Sequence, residues 1–210
     1  MSELNLQKQL IDGATAMGIK LAPAEQKRLL DFCALLIKWN RAYNLTAITD
    51  PEQIISLHLL DSLAASCYLP PGRIIDVGSG GGLPGIPLAI ANAEKNFVLL
   101  DSNGKKTRFL VQAVGELGLA NVSVVNQRVE DYRPAVLFDA VISRAFTSIN
   151  EMLDKCVHLL APGGRVLAMK GRPSEAEMAA IPVGFRLIEV VRLEIPGLNA
   201  ERSLLMLERG

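Results

Sequence analysis

The sequence predicts an α/β domain with a mostly parallel sheet, and three observations carry that reading. From residue 73 onward, short β-branched apolar runs alternate with helical periods, the pattern of right-handed βαβ units covered on both faces. The first run, Ile74-Ile75-Asp76-Val77, stops at a glycine cluster that opens a helix. The chain ends in two β-rich runs, 185–195 and 203–208, separated by Pro196-Gly197, so the sheet closes on a β-pair. Five strands at 73–77, 96–101, 122–126, 138–143 and 165–170 with those two runs make seven, the last entering antiparallel.

A helical extension precedes this core. Residues 3–17 read as a helix limited by Gly13 and Gly18, and Pro23 to Asn40 as a stronger one with Leu29, Phe32, Cys33, Leu36 and Ile37 on its apolar face. Trp39 reads as a packing anchor. Residues 41–48 are too polar and irregular to continue the helix. Asp50-Pro51-Glu52-Gln53 has the capping pattern of a new helix carrying Ile54, Ile55, Leu59, Leu60 and Leu63. The Pro70-Pro71-Gly72 joint divides an N-terminal helical extension or lid, 1–70, from an α/β domain, 71–210. Core helices are expected at 84–93, 104–118 and 148–160, with Pro84 in the first turn of the first.

The glycine cluster is the chemical centre. A turn without Cβ atoms lets backbone N–H groups approach a ligand at the positive end of a helix. No Lys-Ser/Thr pair follows the glycines, which excludes a P-loop, and Leu83 stands where a dinucleotide fingerprint needs its third glycine. The pattern that fits is D-x-G-x-G-x-G over Asp76, Gly78, Gly80 and Gly82. Asn96 to Leu100 is a second buried-strand run ending in Asp101, where a carboxylate can accept both hydroxyls of an adenosine ribose. Asp101 or Ser102 could instead cap the next helix. Together the turn and the acid indicate a nucleoside-cofactor site.

Composition narrows the rest. Lys+Arg and Asp+Glu balance at 22 each, so any nucleic-acid surface is local. Cys33, Cys67 and Cys156 are isolated in apolar patterns and read as buried free thiols. With two histidines, no metal-ligand cluster is visible. No segment has signal-peptide character or transmembrane length, and the expectation is a soluble cytoplasmic protein.

Several blocks together resemble one family nearly end to end: Lys38-Trp39-Asn40, Tyr43-Asn44-Leu45-Thr46, His58-Leu59-Leu60-Asp61-Ser62-Leu63, Leu83-Pro84-Gly85-Ile86-Pro87, Leu100-Asp101-Ser102, Arg128-Val129-Glu130, Ser143-Arg144-Ala145-Phe146, Met169-Lys170-Gly171 and Glu201-Arg202. The sequence is similar to the bacterial ribosomal RNA small subunit methyltransferase G family, also called glucose-inhibited division protein B. The resemblance implies a Rossmann-like class I methyltransferase fold, S-adenosylmethionine (SAM) as cofactor, and methylation of N7 of one guanine, guanine 527, of 16S rRNA. The implied partner is the small ribosomal subunit or its assembly intermediate, with the enzyme a monomer. Ser203 departs from the family, which usually has His after the Arg of the last block.

The resemblance implies that Gly78 and Leu83 contact the methionine part of SAM, that Asp101 holds the ribose, and that Val129 and Glu130 bracket the adenine. Arg144 could face SAM's carboxylate, an RNA phosphate, or an acid in a helix-start salt bridge. Phe146 could stack on the guanine or belong to the core. Lys170 is a further positioning candidate, and Lys170, Arg172 and Arg202 are RNA-contact candidates against ordinary surface charge. Asn44 would order the loop over the cofactor, and His58 reads as a structural histidine. No catalytic base is assigned. The residues agree, because no Asn/Asp-Pro-Pro-aromatic turn for an amino group follows the fourth strand and no Cys lies near a strand tip for attack on a pyrimidine. Guanine N7 has an outward lone pair and needs neither. The competing readings are an NAD(P)-dependent oxidoreductase, disfavoured by Leu83 and the terminal β-pair, and a catalytically silent nucleotide-binding module, disfavoured by the intact glycines and Asp101.

Overall fold

The computed structural model describes residues 3–210. Seven strands, β1 Arg73–Val77, β2 Asn96–Asp101, β3 Val122–Asn126, β4 Phe138–Ser143, β5 Leu160–Lys170, β6 Phe185–Arg192 and β7 Ser203–Arg209, form one sheet in the order β3-β2-β1-β4-β5-β7-β6. The pairs β3–β2, β2–β1, β1–β4 and β4–β5 are parallel, and β7 runs antiparallel to both β5 and β6. The expected terminal antiparallel strand is therefore inserted between β5 and β6. The order reverses at β1/β4, which opens a crevice at the carboxyl ends of those strands.

The pleat sends alternate residues to two apolar layers. Ile74, Leu99, Ile142 and Leu167 pack with α5 (Gly85–Ala91) and α6 (Gly104–Glu116), while Ile75, Leu100, Val141 and Val166 pack with α7 (Ile149–Cys156). The N-terminal helices α1 (Glu3–Ala16) and α2 (Pro23–Tyr43) bury Leu10, Leu29, Phe32 and Leu36 in the first of these layers. Residues 3–70 and the sheet thus share one core. Gly13 does not break α1, because a Cβ there would meet Leu60 Cδ1 at 2.4 Å: the glycine permits close helix packing.

Three local expectations are corrected. The helix α2 runs on to Tyr43, ending where Asn44 adopts φ +51° and returns its N–H to the Asn40 carbonyl. The segment after Asp50 is not one α-helix: α3 (Pro51–Ile54) passes into a π-helical stretch, Ile55–Leu60, before α4 (Asp61–Leu63). Asp50 caps it by accepting the Glu52 N–H at 3.2 Å. Cys67 is exposed, since it falls in the 3₁₀ turn Ser66–Tyr68 beyond the apolar helix, whereas Cys33 and Cys156 are buried. Burial pushes those two thiols up to about 11 and about 12. A short helix, α8 (Glu175–Ala179), precedes β6. No helix among the described residues is long and apolar enough to cross a membrane.

Candidate active site

Two cavities lie at the carboxyl ends of the parallel strands and share one wall, Phe146. The first, about 210 Å³, is lined by Val77, Gly78, Asp101, Ser102, Val129 and Glu130 among others. The second, about 370 Å³, is lined by Ile48, His58, Asp61, Arg144, Lys170 and Arg202 among others.

The glycine turn prepares the first cavity differently from the sequence expectation. Its N–H groups are mostly spent within the protein: Gly78 and Ser79 donate to the Leu100 carbonyl, Gly82 and Leu83 to that of Ser79. Gly85, at the start of α5, donates to Asp76 Oδ2 at 2.9 Å, so the helix terminus faces a buried carboxylate. The turn offers a ligand a bare surface instead. Gly78 has φ +73°, and a Cβ there would sit 2.7 Å from that of Ala145, closing the gap between the β1 and β4 tips.

Asp101 is 8% exposed and held rigid, with Oδ2 accepting the Gly80 N–H and Oδ1 the Asn103 N–H, both at 2.8 Å. Each oxygen keeps a free lone pair for a ribose hydroxyl. The helix cap is Asn103, which accepts from the Lys105 and Lys106 N–H groups, so neither Asp101 nor Ser102 is needed for it. Val129 and Glu130 lie across this cavity from the glycine turn. Glu130 pairs with Lys155 at 3.2 Å, and its own backbone amide and Lys155 hold it below the usual carboxylate range. Leu83 is 7% exposed, packs in the core, and lines neither cavity.

The second cavity is built around Asp61, whose side chain is 3% exposed. Its Oδ2 accepts from Arg144 Nη1 at 2.6 Å and its Oδ1 from Arg202 Nε at 3.1 Å. One buried carboxylate from the N-terminal helices thus holds guanidiniums from the β4 tip and the start of β7. Arg144 belongs to this cavity and not to the one lined by Gly78 and Asp101. The sequence reading gave Asp61 no role, although an acid between Leu60 and Leu63 on an apolar helix face signals a cationic partner.

Two other groups are equally committed. Lys170 donates to Glu177, on α8, and to the Thr147 carbonyl at 2.7 Å. His58 Nδ1 lies 3.0 Å from the Leu57 carbonyl, which can only accept, so this nitrogen carries the proton. Nε2 then accepts from Thr46 Oγ1 at 2.7 Å, and Thr46 Oγ1 accepts the Ile48 N–H. Burial, then Arg144, lowers the His58 pKa to about 4. Asn40, more than Asn44, orders the loop above: it bonds both the N–H and the carbonyl of Thr46 at 2.9 Å. Arg172 lies 3.9 Å from Glu201, and Ser203 opens β7 opposite Lys170.

A family model described as rRNA small subunit methyltransferase G matches residues 25–206. The chain belongs to that family. It is 52% identical over 98% of its length, and all of the relative's, to the ribosomal RNA small subunit methyltransferase G of Shewanella amazonensis. It is 50% identical to that of Cellvibrio japonicus, covering 99% of this chain and 98% of that one. Among solved structures, a SAM-dependent methyltransferase from Aquifex aeolicus aligns with TM-score 0.60 and 18% identity over 83% of this chain and 98% of that one. The N-methyltransferase NodS of Bradyrhizobium japonicum, in complex with S-adenosylhomocysteine, aligns with TM-score 0.57 and 14% identity over the same shares. These likenesses confirm the class I methyltransferase fold. Family membership makes the chain a methyltransferase and SAM its cofactor, and the Cβ-free wall at Gly78 with the half-free carboxylate of Asp101 suits that cofactor.

Proposed function

We propose that this chain methylates N7 of a single guanine in 16S rRNA, with the cofactor in the Gly78–Asp101 cavity and the guanine in the Asp61 cavity. The observation that supports N7 is the commitment of every titratable side chain lining the acceptor cavity. The His58 lone pair is taken by Thr46, Asp61 holds two guanidiniums, and Lys170 is paired with Glu177. Methylating an amino group requires proton removal, and nothing in this arrangement is poised to do it. N7 attacks with a lone pair already in the ring plane.

SAM supplies an electrophilic sulfonium methyl. Held at Gly78 and Asp101, it would pass that methyl and the positive charge to N7 and leave as the neutral thioether, with no proton for a side chain to move. The protein's task is then placement. Asp101 fixes the cofactor end, Phe146 borders both cavities where donor and acceptor meet, and Asp61 orients the two guanidinium forks toward the guanine or its phosphate. Orientation of this kind supplies up to roughly 7–11 kcal/mol of catalysis. Asp61 also offsets one of the two arginine charges where the methylated guanine becomes cationic.

Replacing Asp101 with Ala is expected to weaken SAM binding by about 1.5–3 kcal/mol, the scale of lost hydrogen bonds to a charged group. Calorimetry with SAM and with NAD(H) checks this; tight NAD(H) binding with no SAM heat would overturn the assignment. The function itself is tested with labelled SAM and small subunits lacking the methyl group, followed by mapping of the labelled nucleotide. A short loop offers few phosphates for Lys and Arg to neutralise, so few counterions are released when it binds. A short naked loop is therefore expected to be a poor substrate beside the subunit. Equal kcat/KM on both would refute that expectation.

A further inference from the structure

The three expected RNA contacts, Lys170, Arg172 and Arg202, each sit against an acid: Glu177, Glu201 and Asp61. Cations with no acidic partner lie elsewhere. Lys38 and Arg41 on α2 and Lys105, Lys106 and Arg108 on α6 make no side-chain hydrogen bond or salt bridge among the described residues. No Asp or Glu occurs in 32–49 or in 102–115, so both stretches are purely cationic. The two helices are neighbours: the Phe109 ring on α6 lies 6.4 Å from Phe32 and 6.0 Å from Trp39 on α2.

Between them runs an open groove of about 420 Å³, walled by Trp39, Tyr43, Arg108, Val111 and Gln112. The Trp39 and Tyr43 rings pack 5.1 Å apart, tilted by 43°, and Val111 is 60% exposed. Aromatic and apolar walls flanked by free cations are how proteins hold single-stranded RNA: bases stack while phosphates meet the charge. The 43–48 segment runs from the groove to the acceptor cavity. Tyr43 lines the groove, the Leu45 carbonyl lies over the glycine turn at Gly81, and Ile48 lines the acceptor cavity. Five residues span at most about 18 Å, so a few nucleotides reach from one to the other. Lys106 marks the near end, its ammonium 3.8 Å from where a Gly80 Cβ would be.

We propose that the α2–α6 groove is a second RNA site, which anchors the single-stranded rRNA flanking the target guanine through Lys38, Arg41, Lys105 and Arg108. This deepens the proposed function and rests on it. The four cations lie outside both cavities, so the groove governs docking while the cavities govern chemistry.

The test compares wild type with Lys38→Gln/Arg41→Gln and Lys105→Gln/Arg108→Gln, on unmethylated small subunits and on naked 16S rRNA. Each pair is expected to raise KM for subunits about tenfold. Each should also make the log Kd against log salt slope for 16S rRNA shallower by one to two, about one for each phosphate no longer neutralised. The single-turnover rate at saturating subunits and SAM affinity by calorimetry should stay within about twofold, and the melting temperature should not fall. Unchanged KM and slope would overturn the proposal. A raised KM with an unchanged slope would also overturn it, assigning the face to a protein of the subunit. If wild type itself transfers no methyl to the subunits, the methyltransferase reading fails, and that outcome is seen before any variant is compared.

Discussion

Replacing Arg144 with Ala lowers single-turnover methyl transfer about a hundredfold, the scale of a 1 Å misplacement of reacting groups, while SAM affinity stays near that of wild type. The split follows from Arg144 lining the acceptor cavity and not the cavity of Gly78 and Asp101. Arg144→Lys recovers part of the rate, because a point charge bonds Asp61 but cannot present a second, planar edge to the guanine. Stability falls as well, since Asp61 keeps only Arg202. Breaking a buried pair outright costs about 3–5 kcal/mol, and with Arg202 in place and Arg144 a quarter exposed the loss is about 1–2 kcal/mol. Asp61→Asn on the Arg144→Ala background takes away Arg202's acidic partner as well, so stability falls further and the rate is not restored. Rapid-quench transfer between pH 6.5 and 8.5 completes the test: the wild-type rate is nearly flat. A steep profile that disappears on replacing one titrating residue would mean a general base, and an exocyclic amine in place of N7.

The second large effect is a pair of opposed titrations in the ligand-free protein. Burial pushes Asp76 up to about 7, with Oδ1 unpartnered and Oδ2 bonded by the Gly85 N–H. Its folded pKa is above its unfolded value, so the fold binds the extra proton, and stability declines as pH rises from about 4 to 7. His58 works the other way. Its folded pKa of about 4 is below the ordinary 6.5, so its contribution is present above 6.5 and lost as pH falls toward 4. At about 1.4 kcal/mol per pH unit the shifts correspond to about 4–5 kcal/mol for Asp76 and about 3–4 kcal/mol for His58. Between about pH 4 and 6.5 the two slopes oppose each other, and wild-type stability is nearly level. Asp76→Asn keeps an acceptor for Gly85 and unmasks the His58 rise, while His58→Gln unmasks the Asp76 decline. Denaturant titrations across that range check the signs; three parallel profiles would show that neither group titrates in this way.

The strands were readable because each is a short apolar run, bounded at β1 to β3 by Gly, Asn or Asp, and β1 to β4 begin and end where that pattern places them. The site was readable where one segment carries both its geometry and its chemistry. Asp76 to Gly82 bends the chain by itself, and Asp101 ends a strand whose neighbour is fixed by the βαβ rule. The π-helical stretch at Ile55–Leu60 was not readable, since its residues have ordinary helical periodicity and its partners, Gln9 of α1 on Ser56 and Thr46 on His58, are distant in sequence.

What the sequence determined by itself is the sheet, the glycine turn and the family, all properties of local pattern. Tertiary structure decided which charges are free. Arg202 and Asp61 are 141 residues apart, Arg144 and Asp61 83, and no local pattern announces either pair. Folding joins them at the strand tips and ties to an acid the cations that looked free for RNA. It also lays α2 beside α6, so that two acid-free stretches more than 50 residues apart become one cationic groove. The physical reason is that a charge is free or spent according to its neighbours in space, and only the packing of distant elements supplies those neighbours.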